Sequence, residues 1–367
     1  MTIGVLGAGQ LGRMLALAGY PLGLEFLFLD KSPGTPAHQV APSLFGEFTD
    51  RALLEELAGR CEVVTFDWEN VPAAALDVLE SRVTIAPPRA ALATAQDRLL
   101  EKELFARLSI PTNANVAVDS LEDLHRAVHA IGLPGVLKTR RLGYDGKGQF
   151  VLRGPDDVDK AWAVLGSAPL LYEQLVPFDY EVSAIGVRSR SGEFAMYPLN
   201  RNLHRAGILR LTRAPWKAPK LEAAARRMLR KIMEHFDYVG VLAIEFFVRR
   251  GSLLANEMAP RVHNSGHWTI EGAVTSQFEN HLRAILGLPL GDTAALGHCA
   301  MLNLIGTMPD RATLLGESGL HLHDYGKVAR TGRKLGHITI VEGTTKRAEL
   351  RALRLLRRIE SRKLEDH

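Results

Sequence analysis

The chain has 367 residues, 46% of them hydrophobic and 23% charged, with a formal net charge of +4 at pH 7. That length exceeds what one core usually supports, so two or three domains sharing a cleft are expected, and the composition excludes a disordered or fibrous chain. No apolar run approaches the roughly 18 residues a membrane-spanning helix needs, and strand-like sequence starts at Thr2 with no basic and apolar leader.

These features predict a soluble, cytoplasmic protein with no membrane partner. Cys61 and Cys299 lie far apart in apolar stretches and read as buried thiols in a reducing compartment. Much of the positive excess sits in the final segment, KRAELRALRLLRRIESRK, whose leucines at 350, 353 and 356 recur at helical spacing. That pattern predicts a solvated helix docked by one apolar face rather than a nucleic-acid site. The remaining positive balance suits phosphorylated small molecules.

Residues 2–85 alternate strand and helix: TIGVLG, a helix to about Tyr20, LEFLFLD, DRALLEELAG, CEVVTFD and PAAALDVLE. Such alternation predicts a doubly wound parallel sheet with flanking helices. Pro87 and Pro88 punctuate its end, and the next helix, DRLLEKELFARL, stops before Pro111. From about residue 113 the pattern becomes α+β, with YEVSAIGVR, EFAMYPL, GILRLTR and VGVLAIEFFV followed by SLLANEMA as adjacent antiparallel strands. After LRAILGLPLGD, the short strands HCAMLNLIG, LHLHDYG and HITIVEG and the basic helix suggest a small β-rich third unit. The expected domains are 1–96, 97–290 and 291–367.

GAGQLG at the start sets Gly7, Gly9 and Gly12 as GxGxxG, and Asp30 ends the second strand about 20 residues on, the layout of a dinucleotide site. The same turn also serves helix packing or another phosphate, so a nicotinamide oxidoreductase rests on this fingerprint alone. VLKTRRLGYDGKGQF, residues 136–150, places Lys138 at a strand end before a glycine-rich loop flanked by Arg140 and Arg141. Such a loop suits closure over phosphates. It is not a Walker loop, because it returns into the strand QFVLR instead of opening a helix.

VGVLAIEFFV and SLLANEMAPR read as a hairpin about RRGS, with Glu245 and Glu257 at similar distances from the turn. Two facing carboxylates repel unless one is protonated or a cation lies between them, and Mg²⁺ shared with nucleotide phosphates is the expected occupant. Arg261, His263, Asn264, Ser265 and His267 follow directly, a dense run of donors suited to an anion pocket. HNSGH has zinc-like spacing but no further His or Cys cluster beside it. A strand end at 173–176 could meet an adenine through its backbone, with Glu181 for the ribose. Glu69 and Asn70 stand at the C-terminal end of a predicted parallel strand, where ligands meet open α/β sheets.

Together, GAGQLGRM at 7–14, ENVP at 69–72, GYDGKGQ at 143–149, NLHRAGILR at 202–210, NEMAPRVHNSGHWT at 256–269 and GRKLGH at 332–337 resemble the ATP-grasp superfamily. Within it they resemble the N5-carboxyaminoimidazole ribonucleotide synthetases of purine biosynthesis. The resemblance runs from Gly4 to about Ile340 and is most specific at APRVHNSGHWT. It implies a ligase dependent on ATP and Mg²⁺ that joins bicarbonate to the 5-amino group of aminoimidazole ribonucleotide through carboxyphosphate, releasing ADP and phosphate. It also implies a central ATP-grasp domain and a homodimer.

By carry-over, Arg98, Lys138 and the loop Gly143, Tyr144, Asp145, Gly146, Lys147, Gly148 and Gln149 would contact the nucleotide phosphates. Glu173, Gln174, Leu175 and Val176 would form the adenine strand, Glu181 would hold the ribose, and His204 and Asn256 would complete the nucleotide site. Glu245 and Glu257 match the magnesium ligands. Arg261 and His263 would hold bicarbonate and carboxyphosphate, with Asp145 as a further catalytic group. Gln10, Leu11, Glu69, Asn70, Tyr144, Asn264, Ser265, Lys327, Arg333 and Lys334 would receive the imidazole ribonucleotide.

Two positions depart from the family's usual pattern. Leu142 stands where a second glycine commonly precedes GYDG, which should stiffen the loop, and Asp67 stands where Glu is common. A formate-dependent glycinamide ribonucleotide transformylase shares the layout but differs in the 261–269 run. A non-catalytic nucleotide sensor has no positive feature in this sequence.

Overall fold

The computed structural model describes residues 1–143 and 146–365, with side chains followed through residue 359. The first sheet holds β1 (Thr2–Leu6), β2 (Glu25–Asp30), β3 (Ser43–Phe45), β4 (Val63–Phe66) and β5 (Thr84–Ile85), in the order β3-β2-β1-β4-β5. All four pairings are parallel. β1, β2 and β4 are apolar runs buried along nearly their whole length, as a sheet covered on both faces requires. The edge strands β3 and β5 are three and two residues long, too short for an apolar period to reveal them. Strand order reverses at β1, which opens a crevice at the C-terminal ends of β1 and β4.

The glycine turn after β1 is built for packing. Gly7 sits at a φ of 92°, and a Cβ on Gly12 would lie 2.7 Å from Phe28 Cε1. Gly9 has no side chain to cap the helix Gln10–Gly19, and Asp67 from the end of β4 supplies one. Its carboxylate accepts from the N–H groups of Gly9 at 2.5 Å and Gly12 at 3.0 Å. Asp30 accepts from the Ala8 N–H at 2.7 Å. Two carboxylates of the chain itself therefore hold the donors a dinucleotide pyrophosphate would need.

The second sheet comprises β6 (Asn115–Val118), β7 (Gly135–Thr139), β8 (Gln149–Leu152) and β9 (Leu170–Gln174), antiparallel in the order β6-β9-β7-β8. With the helices Leu121–Ile131 and Asp157–Leu165 it encloses its own core, including Leu124, Leu137, Val158 and Tyr172.

The third sheet contains β10 (Tyr180–Arg188), β11 (Phe194–Met196), β12 (Asn200–Arg205), β13 (Ile208–Ala214), β14 (Gly240–Arg249), β15 (Ser252–Ala259), β16 (His298–Ile305), β17 (Leu320–Asp324) and β18 (Lys334–Glu342). Its order is β15-β14-β10-β12-β13-β16-β18-β17, with β11 beside β10. The C-terminal strands thus form no separate sheet. β16 pairs with β13 from Leu211 to Ala214, so the strands of the β-rich C-terminal region continue the central sheet as an extension of it.

The helix Thr345–Glu365 docks on this extension through Ala348, Ala352, Leu355 and Leu356. Leu350, expected on the inward stripe, is 46% exposed. The docked face follows the alanines one turn round, while Arg351 pairs with Glu342 at 2.6 Å.

One core joins the first and third sheets, with Leu11, Met14 and Leu15 packed with Phe278, Leu282 and Ile285 of the helix Gln277–Ile285. His281 of that helix bridges the two sheets directly. Its Nδ1 accepts from the Val241 N–H at 3.1 Å, and its Nε2 lies 2.8 Å from Thr65 Oγ1. Cys61 and Cys299 are buried and unbridged. Among the described residues no helix is long and apolar enough to cross a membrane.

Loss of the cap supplied from β4 should be measurable. Asp67→Ala is expected to lower stability by about 1–2 kcal/mol, read as a lower thermal midpoint; an unchanged midpoint would remove the capping role.

Candidate active site

The three sheets surround a cavity of about 1150 Å³. Its floor is the hairpin of β14 and β15, where Glu245 and Glu257 are directly paired across the strands. The register shifts just beyond this pair, where Phe246 meets Ala255, so Asn256 is the extra residue of a β-bulge. Glu257 is half-buried, and the Glu245 side chain is 15% exposed. Burial pushes Glu245 up to about 7, with the charge of Glu257 adding to the shift and His204 opposing it. Burial also works against ionisation of Glu257, but Arg98 and Lys138 outweigh it and hold that carboxyl below its usual range.

Arg98 Nη1 lies 3.2 Å from Glu257 Oε2. Lys138 Nζ donates to Glu173 Oε2 at 2.9 Å, and Asn113 Nδ2 donates to the same oxygen at 3.1 Å. Burial opposes ionisation of Glu173 too, yet Lys138 and Lys102 bring it down to about 2. Its side chain is therefore committed to two lysines. Glu173, Gln174 and Val176 are off the cavity wall, and of the 173–176 stretch Leu175 lines it. Glu181 Oε2 meets His204 Nδ1 at 2.8 Å. Burial disfavours charge on His204, but Glu181 and Glu245 prevail and raise it to about 9.

Sequence reasoning missed the brace behind the bulge. Arg98, Glu101 and Lys102 share one face of the helix Arg98–Arg107 with the buried Phe105, an i, i+3, i+4, i+7 stripe that was the available signal. Lys102 Nζ donates to the carbonyls of Asn256 at 2.9 Å and Ala255 at 3.4 Å. Glu101 Oε1 accepts from the Met258 N–H at 2.6 Å. One helical turn thus grips the backbone on both sides of Glu257.

In the 261–267 run, Arg261 pairs with Glu69 of the first domain, and both line the cavity. Burial works against charge on Arg261, but Glu69 keeps it protonated. His263 lines the wall with Nε2 3.5 Å from Glu245 Oε1; burial, then Arg261, push it well below its ordinary value, so the ring is neutral. Asn264 exchanges two amide bonds with Asn303, at 3.0 and 2.7 Å. Ser265, expected to touch substrate, is fully buried behind the wall. His267 is buried against the rings of Phe278 and His337, a packing role rather than a site contact.

In the glycine-rich loop, Gly143, Gly146, Lys147 and Gln149 line the cavity, whereas Gly148 does not. Tyr144 and Asp145 lie outside the described residues. Gly146 has a φ of 78°, and a Cβ there would lie 3.1 Å from the Ala206 carbonyl oxygen, so the loop seats on the turn between β12 and β13. Arg140 forks onto Asp97 at 2.9 and 2.7 Å, and Arg141 reaches the same carboxylate at 3.4 Å. These two cations anchor the base of the loop. Leu142 adopts a φ of 61° and is 70% exposed, so the departure from glycine falls in a left-handed conformation that glycine adopts freely.

Gln10, Leu11, Glu69 and Asn70 face Lys327, Arg333 and Lys334 across the same cavity, and Lys327 bonds Gln10 Oε1. Arg330, which sequence reasoning omitted, joins that wall. His204, Glu181 and Asn256 line the floor with the two glutamates.

Two measurements check this geometry. His204 is raised from its unfolded value near 6.5, so the Glu181 pair contributes in full below that pH and fades as pH climbs through about 9. The thermal midpoint of wild type should fall toward that of Glu181→Gln between pH 7 and 10; parallel profiles would exclude the charged pair. Leu142→Gly relieves about 1 kcal/mol of backbone strain but frees the unfolded chain by a similar amount. Its midpoint should stay constant while amide exchange across 136–152 quickens, and unchanged exchange would deny Leu142 a stiffening role.

The pre-ATP-grasp domain model of ribonucleotide synthetases matches residues 1–96, and the ATP-grasp domain model matches residues 103–278. The C-terminal domain model of phosphoribosylaminoimidazole carboxylase matches residues 299–351. The N5-carboxyaminoimidazole ribonucleotide synthase of Pseudomonas aeruginosa is 52% identical over 340 residues, covering 93% of this chain and 94% of that relative. The synthetase structure from Thermus thermophilus superposes with a TM-score of 0.93 at 52% identity, over 97% of this chain and 98% of the other. The Aspergillus clavatus synthase, solved with ADP and 5-aminoimidazole ribonucleotide, gives a TM-score of 0.91 at 32% identity over 98% of both chains. Three adjoining domain models and relatives matched along nearly their full length place the chain in the N5-carboxyaminoimidazole ribonucleotide synthase family, ATP-dependent carbon–nitrogen ligases of purine biosynthesis.

Proposed function

We propose that this chain uses MgATP to carboxylate the 5-amino group of 5-aminoimidazole ribonucleotide with bicarbonate. The observation that carries the reading is the paired Glu245 and Glu257, with Arg98 beside them and the 261–264 donors in the same cavity. The donor set suits Mg²⁺. Two carboxylates face each other, and among the described residues the buried Oδ1 of Asn256 has no hydrogen-bond partner. Glu245 and Glu257 would hold the ion, whose charge would offset that developing on the transferring phosphoryl group.

Lys138, Arg98 and the 143–149 loop would steady the triphosphate. A bicarbonate oxygen attacks the γ-phosphorus as the bond to ADP breaks, giving carboxyphosphate. The amine nitrogen then attacks the carboxyl carbon, phosphate departs and the amine loses a proton. Arg261 and His263 would hold the bicarbonate and the mixed anhydride, and the enclosing walls exclude water that would hydrolyse it. Arg333, Lys334 and Lys327 carry the charge suited to the ribonucleotide phosphate, since Asp67 already occupies the first helix N-terminus. A homodimer, implied by the sequence resemblance alone, and a cytoplasmic location, which two buried, unbridged thiols fit, belong to the same reading.

ADP release with acid and amine varied independently tests the proposal. Release is expected with bicarbonate and aminoimidazole ribonucleotide together, and not with formate and glycinamide ribonucleotide; the reverse outcome would overturn it. Glu257→Gln should cut turnover by about 100-fold or more with an unaltered circular dichroism spectrum.

A further inference from the structure

His263 belongs to a turn whose bonds converge on its ring. The fully buried Gln277 reads both polar groups of the His263 peptide, its Oε1 accepting from the N–H at 2.9 Å and its Nε2 donating to the carbonyl at 2.7 Å. Gln277 is itself fixed, because its backbone N–H donates to Thr269 Oγ1 at 3.0 Å. Gly266 leaves room for this clamp: a Cβ there would lie 2.5 Å from Gln277 Oε1.

On the ring's other edge, the Ser265 backbone N–H donates to His263 Nδ1 at 3.3 Å, and Ser265 Oγ lies 2.8 Å from the same nitrogen. A backbone N–H can only donate, so Nδ1 must present its lone pair. The Ser265 hydroxyl is fully buried and has no other hydrogen-bond partner among the described residues, so its proton also points to Nδ1. In a neutral imidazole the proton then resides on Nε2. That nitrogen is the one turned toward the Glu245 side of the cavity.

We infer that Ser265 is a positioning residue that locks His263 in the tautomer protonated at Nε2, so that the ring meets the cleft as a hydrogen-bond donor and not as a proton acceptor. A donor of this kind suits the oxygens of bicarbonate and of carboxyphosphate, and it assigns removal of the amine proton to another group. The kinetic consequence rests on the proposed bicarbonate site; the tautomer does not.

The full chain labelled with ¹⁵N-histidine, without substrates, tests the tautomer by long-range proton–nitrogen correlation, with the His263 signals identified by their loss in His263→Gln. A proton on Nε2 in wild type and a mixture of tautomers in Ser265→Ala are expected. A proton on Nδ1 in wild type, or a Ser265→Ala spectrum matching wild type, would overturn the assignment. In the ADP-release assay, Ser265→Ala should raise KM for bicarbonate by about tenfold and leave KM for ATP unchanged. His263→Gln, which can still donate, should exceed His263→Leu in turnover; equal loss in both would exclude the donor role. Absence of any bicarbonate-dependent ADP release in wild type, with the tautomer as stated, would overturn the reaction alone.

Discussion

Two carboxylates paired on neighbouring strands set the terms for everything around them. Like charges at that separation repel, and the low polarity of a buried hairpin strengthens the repulsion. The chain surrounds them with cations from separate elements: Arg98 from a helix, Lys138 from the four-stranded sheet and His204 from β12. The two glutamates respond differently, Glu257 staying ionised and Glu245 titrating near neutrality, because Arg98 touches one and not the other. A divalent cation held between the two would relieve this repulsion. The three sheets meet where this charge must be balanced.

The polar groups behind the cavity wall serve the backbone. Lys102 and Glu101 spend their hydrogen bonds on the carbonyls and N–H of residues 255–258, and Gln277 spends its amide on the His263 peptide. Bonds of this kind fix where a side chain starts, part of what holds a site in its working geometry. The buried ion pairs around Glu173 and Lys138 are costly to assemble and costly to break singly, so they favour one arrangement of the cleft over its alternatives.

Local patterns made the fold legible. The alternating apolar runs of residues 2–85 identified the long parallel strands, and the RRGS turn with its flanking glutamates identified the hairpin. Residues joined by long-range pairing were not legible. Ser265 read as a donor because its sequence neighbours are donors, yet the turn folds it inward. Asp67 read only as a departure from the family's usual Glu, because a helix cap normally comes from the chain just before the helix, and this one arrives from 58 residues away. Arg140 and Arg141 read as phosphate cations because the Asp97 they bind is far from them in sequence. Glu101 and Lys102 lay on a helical stripe that ends at Phe105, but charge masked it as an exposed face.

The continuity of the large sheet through β13 and β16 bears on how this chain could be divided. A fragment ending after the helix Gln277–Ile285 would strip the partners from Leu211, Thr212, Arg213 and Ala214 and leave a naked strand edge able to recruit another chain. Lys327, Arg333 and Lys334 would leave with the missing portion, taking a whole bank of the cavity's positive charge. Shortened or recombined versions of this protein therefore face aggregation and a loss of positive charge in the cleft together.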